Sequence, residues 1–157
     1  MKKINNYITE KLHITKDTGK DIPYTCHPKD RDELREILKE RLAKDKNADL
    51  NDIDVSKITN MLGLFEGLDP HNIHIEDWNV SNVKDMSHMF YACINFNCDL
   101  STWDVSNVKD MIWMFTNCKK FDCDLNFWNV SNVEDMYNMF SGCKSLKNKP
   151  SWYKNKI

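Results

Sequence analysis

Cysteine spacing is the first feature of this sequence that suggests chemistry. Two Cys-x4-Cys pairs, Cys93 with Cys98 and Cys118 with Cys123, lie near the spacing of zinc ligands. Both pairs recur after 25 residues, however, so each cysteine belongs to a repeated structural position. We therefore expect small buried thiols, with a metal site and a disulfide as the alternatives.

A second, weaker metal-site pattern is the His-x-x-His pair of His71 and His74, which stands close to Glu76 and Asp77. Two histidines in a predicted loop are weak evidence for a metal site, and we predict no metal and no cofactor. The chain has 4 Gly, and it lacks a phosphate-binding glycine loop, a Ser-His-Asp signature and a paired glutamate motif. We therefore predict a non-catalytic protein.

These residues are carried by a 25-residue repeat. The segment Trp-Asn-Val-Ser-Asn-Val at 78–83 returns as Trp-Asp-Val-Ser-Asn-Val at 103–108 and as Trp-Asn-Val-Ser-Asn-Val at 128–133. A degraded copy begins at Ile53, so four units run over 53–77, 78–102, 103–127 and 128–152. One such unit is too short to bury its own apolar face, and repeats of this size stack on their neighbours.

Two periodic patterns of apolar residues within each unit predict its secondary structure. The first has the i, i+3, i+6, i+7 spacing of one helical face and consists of Val83, Met86, Met89 and Phe90, with Ser81 or Asn82 as N-cap. The second is mostly alternate, which is typical of a short strand, and consists of Phe96, Cys98, Leu100, Trp103 and Val105. The predicted fold is an α/β solenoid of about four strand–helix units.

The repeat resembles a known family. Its pattern Trp-Asp-Val-Ser-Asn-Val-x-Asp-Met-x-x-Met-Phe-x-x-Cys-x-x-Phe is similar to that of the BspA-like leucine-rich-repeat proteins of bacteria, over residues 53–152. The resemblance implies a leucine-rich-repeat-like stack with a parallel sheet on one face, used for binding, and no catalytic residues. With four units and no signal sequence, the chain looks like the short intracellular relatives of gut bacteria and their phages.

The segment before the repeats predicts a helical cap. Residues 29–46 carry an apolar stripe of Leu34, Ile37, Leu38 and Leu42, with charged residues on the other faces. An open end of a repeat stack exposes its core, so a cap is required there. We assign residues 1–52 to an N-terminal helical cap, 53–152 to the repeats and 153–157 to a basic tail. An independent binding helix is the alternative for 29–46.

Charge is unevenly distributed along the chain. Residues 53–143 contain 5 basic and 13 acidic side chains, whereas residues 144–157 contain five lysines and no acid. An acidic body repels nucleic acid and attracts basic protein surfaces, although plain solubility is the simpler explanation. No segment approaches the ~18 apolar residues of a membrane span, and no signal peptide is evident. These features predict a cytoplasmic protein that contacts neither nucleic acid nor membrane directly.

Positions that vary within a fixed repeat are where a repeat protein encodes its specificity. The predicted binding surface lies on the helix side and comprises Ser87, His88, Ile112, Trp113, Tyr137 and Asn138, with Trp113 packing under the neighbouring repeat as the alternative. Acidic contacts are predicted at Asp99, Asp104 and Asp124. We predict a protein-interaction module that binds a basic partner protein. The alternatives are a phage or mobile-element inhibitor of a host nucleic-acid-processing defence enzyme, a surface adhesin module and a metalloenzyme.

Overall fold

A computed structural model of the chain describes residues 12–14 and 21–155. Strands β1 (Leu12–Ile14) and β2 (Asp21–Pro23) form an antiparallel pair in which His13 lies opposite Ile22. Helix α1 spans Arg31–Lys44, and a 3₁₀ helix spans Ser151–Asn155. Residues 1–11 and 15–20 of the predicted cap, and 156–157 of the predicted tail, lie outside the described residues.

The predicted α/β solenoid of strand–helix units is wrong. Between α1 and the 3₁₀ helix the chain forms no helix, and its β pairing is limited to isolated bridges. Successive tight turns make up each repeat. His88 and Ala92 have φ of 56° and 57°, which a right-handed helix does not allow. The three-residue apolar spacing comes from turns such as Met86–Met89, where the amide of Met89 donates to the carbonyl of Met86 over 3.2 Å. A series of such turns produces the same spacing as one face of a helix.

The 25-residue period itself is confirmed, because backbone hydrogen bonds join equivalent turns. The amide of Met86 donates to the carbonyl of Asp110 over 2.9 Å, and that of Met111 donates to the carbonyl of Asp135 over 2.9 Å. Parallel bridges link Asp110 to Asp85 and to Asp135, but each bridge is isolated. The repeats are therefore held together without the parallel sheet that the resemblance implied.

Side chains at equivalent positions of successive repeats stack on one another and fill the interior. The rings of Phe65, Phe90, Phe115 and Phe140 stack with successive centroid distances of 5.0, 5.5 and 5.7 Å. The indole N–H groups of Trp78, Trp103 and Trp128 each donate to a main-chain carbonyl 28 residues earlier; that of Trp103, for example, reaches the Ile75 carbonyl at 3.0 Å. Such bonds satisfy the polar atom that a buried tryptophan carries.

Helix α1 covers the first repeat. Asp30 is its N-cap and accepts a hydrogen bond from the amide of Glu33 at 2.9 Å. Leu34, Leu38 and Leu42 are buried in the same apolar cluster as the repeats. The predicted helix over 29–46 is thus confirmed with slightly shorter bounds, and its apolar stripe packs on the repeats.

Candidate protein-binding surfaces

Cys93, Cys98 and Cys118 are buried, as expected, whereas Cys26, Cys123 and Cys143 are half-buried, and all six cysteines are free. The thiols of Cys93, Cys118 and Cys143 each donate to a phenylalanine carbonyl 28 residues earlier, at 3.4, 2.9 and 3.0 Å. Burial raises the pKa of Cys93 to about 12 and that of Cys143 to about 11, and it raises the pKa of Cys118 further. Thiols held in the protonated state are poor metal ligands and poor nucleophiles.

The histidine pair is divided between two neighbours. His74 Nδ1 lies 3.1 Å from Glu76 Oε1, whereas His71 Nε2 lies 3.7 Å from Asp69 Oδ2. Across residues 12–14 and 21–155, no group of three or more His, Cys, Asp and Glu side chains is placed to hold a metal ion.

Two of the three predicted acidic contacts meet in one cavity, which we call the acidic cleft. It has a volume of about 560 Å³ and is lined mainly by the end of the first repeat and by the second repeat, with Asp104 from the third. Its carboxylates are Glu76, Asp77, Asp99 and Asp104, and its apolar wall includes Ile73 and Trp78. No lysine or arginine lines this cleft. The fold therefore concentrates negative charge beside apolar surface.

The third predicted acidic contact lies in an adjoining depression. Asp124 lines a cavity of about 350 Å³ together with Asp122 and Asp99. Because Asp99 belongs to both cavities, the acidic surface runs continuously from Asp104 to Asp124.

Tight turns fix the orientation of these carboxylates. One carboxylate oxygen of Asp99, Asp104 and Asp124 accepts the backbone amide two residues later, at 2.9, 3.0 and 2.9 Å. Aspartate readily accepts from the amide of its own turn, so each of these carboxylates has a partner within the turn. The hydroxyl and amide of Ser101 hold the pKa of Asp99 below its ordinary value.

A neighbouring carboxylate in the cleft is also ionised at neutral pH. Burial acts to raise the pKa of Glu76, but hydrogen bonds from its own backbone amide and from His74 outweigh burial and lower that pKa. Glu76 and Asp99 therefore keep their negative charge near neutral pH.

The predicted helix-side residues occupy turns instead of a helix, and the structure brings some of them together. His88, Trp113 and Tyr91 form a ring cluster in which His88 lies 5.0 Å from Trp113 and 5.5 Å from Tyr91. Trp113 and Tyr91 are 5.9 Å apart. Trp113 is half-buried, and its indole N–H is buried without a hydrogen-bond partner among the described residues.

The other predicted helix-side residues differ in exposure. Tyr137 is 56% exposed and Asn138 is exposed, whereas Ile112 is half-buried and Ser87 is buried at 6%. Ser87 therefore does not contribute to a binding surface.

Comparison with known families adds a further observation. Residues 33–153 match the family described as Mycoplasma protein of unknown function, DUF285. The chain belongs to this family. The match covers most of α1 and all four repeats. No curated protein and no solved structure matches the chain significantly.

DUF285 membership supports the interpretation of this chain as a repeat protein. In the part of this DUF285 chain that the structure describes, no helix has the length and apolar character to cross a membrane.

Sequence reasoning missed three features of this DUF285 chain. Phe127 is 87% exposed, although polar residues, Asp77 and Thr102, occupy the equivalent positions of the first two repeats. Tyr91 completes the ring cluster, and Glu76 and Asp77 complete the acidic cleft. The aromatic residue at a polar repeat position was a signal that could have identified Phe127.

Proposed function

We propose that this chain is a non-catalytic protein-interaction module whose acidic cleft binds a basic segment of a partner protein. The observation that carries the proposal is the meeting of four carboxylates with the apolar surface of Ile73 and Trp78 in one cavity of about 560 Å³. A lysine or arginine side chain has a charged end for the carboxylates and an apolar stem for the tryptophan wall. Charge complementarity of this kind speeds association and selects among partners.

The fixed orientation of the carboxylates supports the same proposal. Asp99 and Asp104 each use an oxygen to accept an amide within their own turn, so these side chains lose little freedom when a partner binds. The resemblance to BspA-like leucine-rich-repeat proteins, whose repeats are used for binding, agrees with this function. A partner with a basic, nucleic-acid-binding surface would suit the inhibitor alternative, and a surface-exposed partner would suit the adhesin alternative; both stay predictions.

A peptide titration tests the proposal. The probe is a fluorescein-labelled hexalysine peptide, and the variant is the double substitution Asp99→Asn with Asp104→Asn. Asparagine already occupies positions 79 and 129, equivalent to 104, where it accepts the same turn amide at 3.2 Å, so the turn at 104 is preserved. Removing two partly screened ion pairs is expected to weaken binding by about tenfold at low salt.

The matched control is Glu134→Gln with Asp135→Asn, which removes the same amount of charge from exposed residues outside the acidic cleft. We expect less than a twofold change for this control. Equal weakening by the two double variants would show that net charge alone attracts the peptide, and the cleft would not be the binding site.

A further inference from the structure

Phe127 is an aromatic residue whose ring lies in solvent. It is 87% exposed, whereas Leu62 and Ile94, two other exposed apolar residues, are 41% and 43% exposed. The repeat does not require a ring at this position, because the first two repeats have Asp77 and Thr102 there. Aromatic residues are enriched where proteins bind one another, so Phe127 is a candidate contact for a partner.

The exposure of Phe127 does not come from a missing neighbour. Trp152 stacks on Trp128 at 6.4 Å, and the amide of Ser151 donates to the side-chain oxygen of Asn126 at 2.9 Å. Ser151 thus precedes Trp152 as Phe127 precedes Trp128, and the chain continues beside the third repeat. The ring stays exposed although described segments of the chain lie on both sides of its repeat.

Phe127 lies on the same side of the repeats as the acidic cleft. Asp77 and Thr102, its equivalents in the first two repeats, both line that cleft. Trp103 and Trp128, which follow Thr102 and Phe127, donate their indole N–H groups to carbonyls 28 residues earlier at 3.0 and 2.9 Å. The second and third repeats therefore hold these positions in the same way. Phe127 follows Thr102 at one repeat spacing, roughly 5 Å.

Asp124 connects the acidic cleft to the turn that carries Phe127. Its carboxylate accepts both the backbone amide and the side-chain amide of Asn126, at 2.9 and 2.7 Å. In the adjoining turn, the amide of Trp128 donates to the carbonyl of Leu125 at 3.1 Å, and Phe127 lies within that turn. The acidic surface therefore extends up to the exposed ring.

We propose that the partner segment is amphipathic, with basic side chains in the acidic cleft and an apolar side chain packed on the ring of Phe127. The proposal rests on the function proposed above, and it narrows the partner from any basic segment to one that carries an apolar anchor. Carboxylates attract basic segments of many sequences, whereas an apolar contact beside them selects among those segments. Buried aromatic contacts supply much of the affinity in protein interfaces.

The repeat spacing sets the pattern that such a segment needs. Thr102 in the cleft wall and Phe127 are one repeat apart, roughly 5 Å. In an extended segment, side chains on one side recur at every second residue, roughly 7 Å apart. An apolar side chain two to four residues from a basic one therefore reaches Phe127 while the basic side chain stays in the cleft.

Two labelled peptides of equal charge test the proposal in fluorescence anisotropy titrations of the 157-residue chain. Each contains five lysines, with phenylalanine at both ends of one peptide and serine at both ends of the other. We expect the phenylalanine peptide to bind about threefold to tenfold more tightly, the gain from packing an aromatic ring on another. Phe127→Thr, which introduces the residue found at position 102, should reduce this preference to less than twofold.

The matched control is Leu62→Ser, because serine occupies the equivalent position 87 and Leu62 lies outside the acidic cleft. This variant should keep the full preference for the phenylalanine peptide. If Leu62→Ser reduced the preference as much as Phe127→Thr, the apolar contact would not be specific to Phe127.

The double variant Asp99→Asn with Asp104→Asn separates this proposal from the function on which it rests. It should weaken both peptides by about tenfold and keep the preference between them. Equal affinity of the two peptides for the unaltered chain, with this weakening intact, would overturn the role of Phe127 and leave the acidic cleft as the binding site. Unchanged binding in the double variant would contradict the proposed function itself.

Three further results would overturn the proposal. A preference that persists in Phe127→Thr would place the apolar contact elsewhere, for example on Trp78. Sedimentation that shows a dimer of the unaltered chain but not of Phe127→Thr would assign the ring to a second copy. A fall in the urea midpoint of Phe127→Thr by more than about 0.3 M would show that the chain covers its own ring, because an exposed residue contributes little to stability.

Discussion

The two ends of the repeat stack are finished in opposite ways. At the first repeat, α1 buries Leu34, Leu38 and Leu42 against the core and places two arginines on the exposed carbonyls. At the fourth repeat, Trp152 stacks on Trp128 at 6.4 Å and covers apolar surface, but the amides of Asn138 and Gly142 find no acceptor in the described part of the chain. At the first repeat, α1 covers apolar surface and also pairs main-chain carbonyls. At the fourth repeat, Trp152 mainly covers apolar surface.

This difference shows that a repeat stack has two separate requirements at each end. Apolar surface must be covered, and any large side chain can do so. The backbone groups must also be paired, and there the chemistry is directional: exposed carbonyls need donors, and exposed amides need acceptors. Arg31 and Arg35 of α1 supply donors to the carbonyls of the first repeat.

The largest expected effect separates the apolar contributions of the two ends. Leu38→Ala removes a side chain with no exposed surface, so the free energy of unfolding should fall by about 3 kcal/mol. Leu146, at the other end, is half-buried, so Leu146→Ala removes less buried apolar surface. It should lower the free energy of unfolding by about 1 kcal/mol. Urea denaturation followed by circular dichroism measures both. Equal losses would mean that the two ends are equally well packed.

An intermediate effect tests the hydrogen bonds from α1 to the main-chain carbonyls of the first repeat. Arg35→Met keeps much of the apolar stem but removes three hydrogen bonds to carbonyls, and we expect a loss of about 2 kcal/mol. Lys39→Met on the exposed side of α1 breaks only a surface ion pair with Glu36 and should cost less than about 0.5 kcal/mol. Arg35→Lys should recover only part of the loss, because an ammonium group lacks the planar fork of a guanidinium. If Arg35→Met matched Lys39→Met, the arginine would not stabilise this end.

The smallest effect compares a carboxylate near α1 with one inside the stack. The hydrogen bond from Arg41 holds the pKa of Asp52 below its ordinary value, whereas burial, with repulsion from Asp85 and Asp135, raises the pKa of Asp110. Ionised Asp52 therefore stabilises the fold above its ordinary pKa, and this stabilisation disappears as the pH falls through the lowered pKa. Ionised Asp110 destabilises the fold once the pH exceeds its raised pKa.

The expected outcome is a change of opposite sign in the two variants. At pH 7, Asp52→Asn should lower the free energy of unfolding by about 1 kcal/mol, and Asp110→Asn should raise it by a smaller amount, less than about 1 kcal/mol. Both differences should shrink in urea denaturation repeated below about pH 4, the ordinary pKa of aspartate. A loss of stability in Asp110→Asn at pH 7 would contradict the repulsion of Asp110 by Asp85 and Asp135.

Much of the interior was predictable because it depends on which residues are apolar and how often they recur. The 25-residue columns correctly identified Met86, Phe90, Cys93 and Trp103 as core residues, and the apolar stripe of α1 identified Leu34, Leu38 and Leu42. Burial follows from apolar composition repeated at a fixed period, whatever backbone conformation carries it. The acidic residues at 99, 104 and 124 were also chosen from charge alone, but only the structure showed that two of them share a cleft.

The backbone conformation was not predictable from the same pattern. Apolar residues three apart lie on one face of a helix, and they also lie on one side of a series of tight turns. Gly63 and Asn138 occupy the same repeat position as His88 and Trp113, and all four have positive φ, so these two residue types were the available signal for turns. Bulky residues at 88 and 113 obscured it.

The sequence by itself determined the repeat period, the composition of the core, the position of α1 and the separation of negative body from positive end. These properties depend on residue type and order along one chain. Only the tertiary structure decided that turns replace helices and strands, that equivalent turns bond to one another across repeats, and that Arg31 and Arg35 donate to main-chain carbonyls of the first repeat. Each of these depends on the partner that a backbone group finds about 25 residues away, and a local pattern of apolar spacing carries no information about that partner.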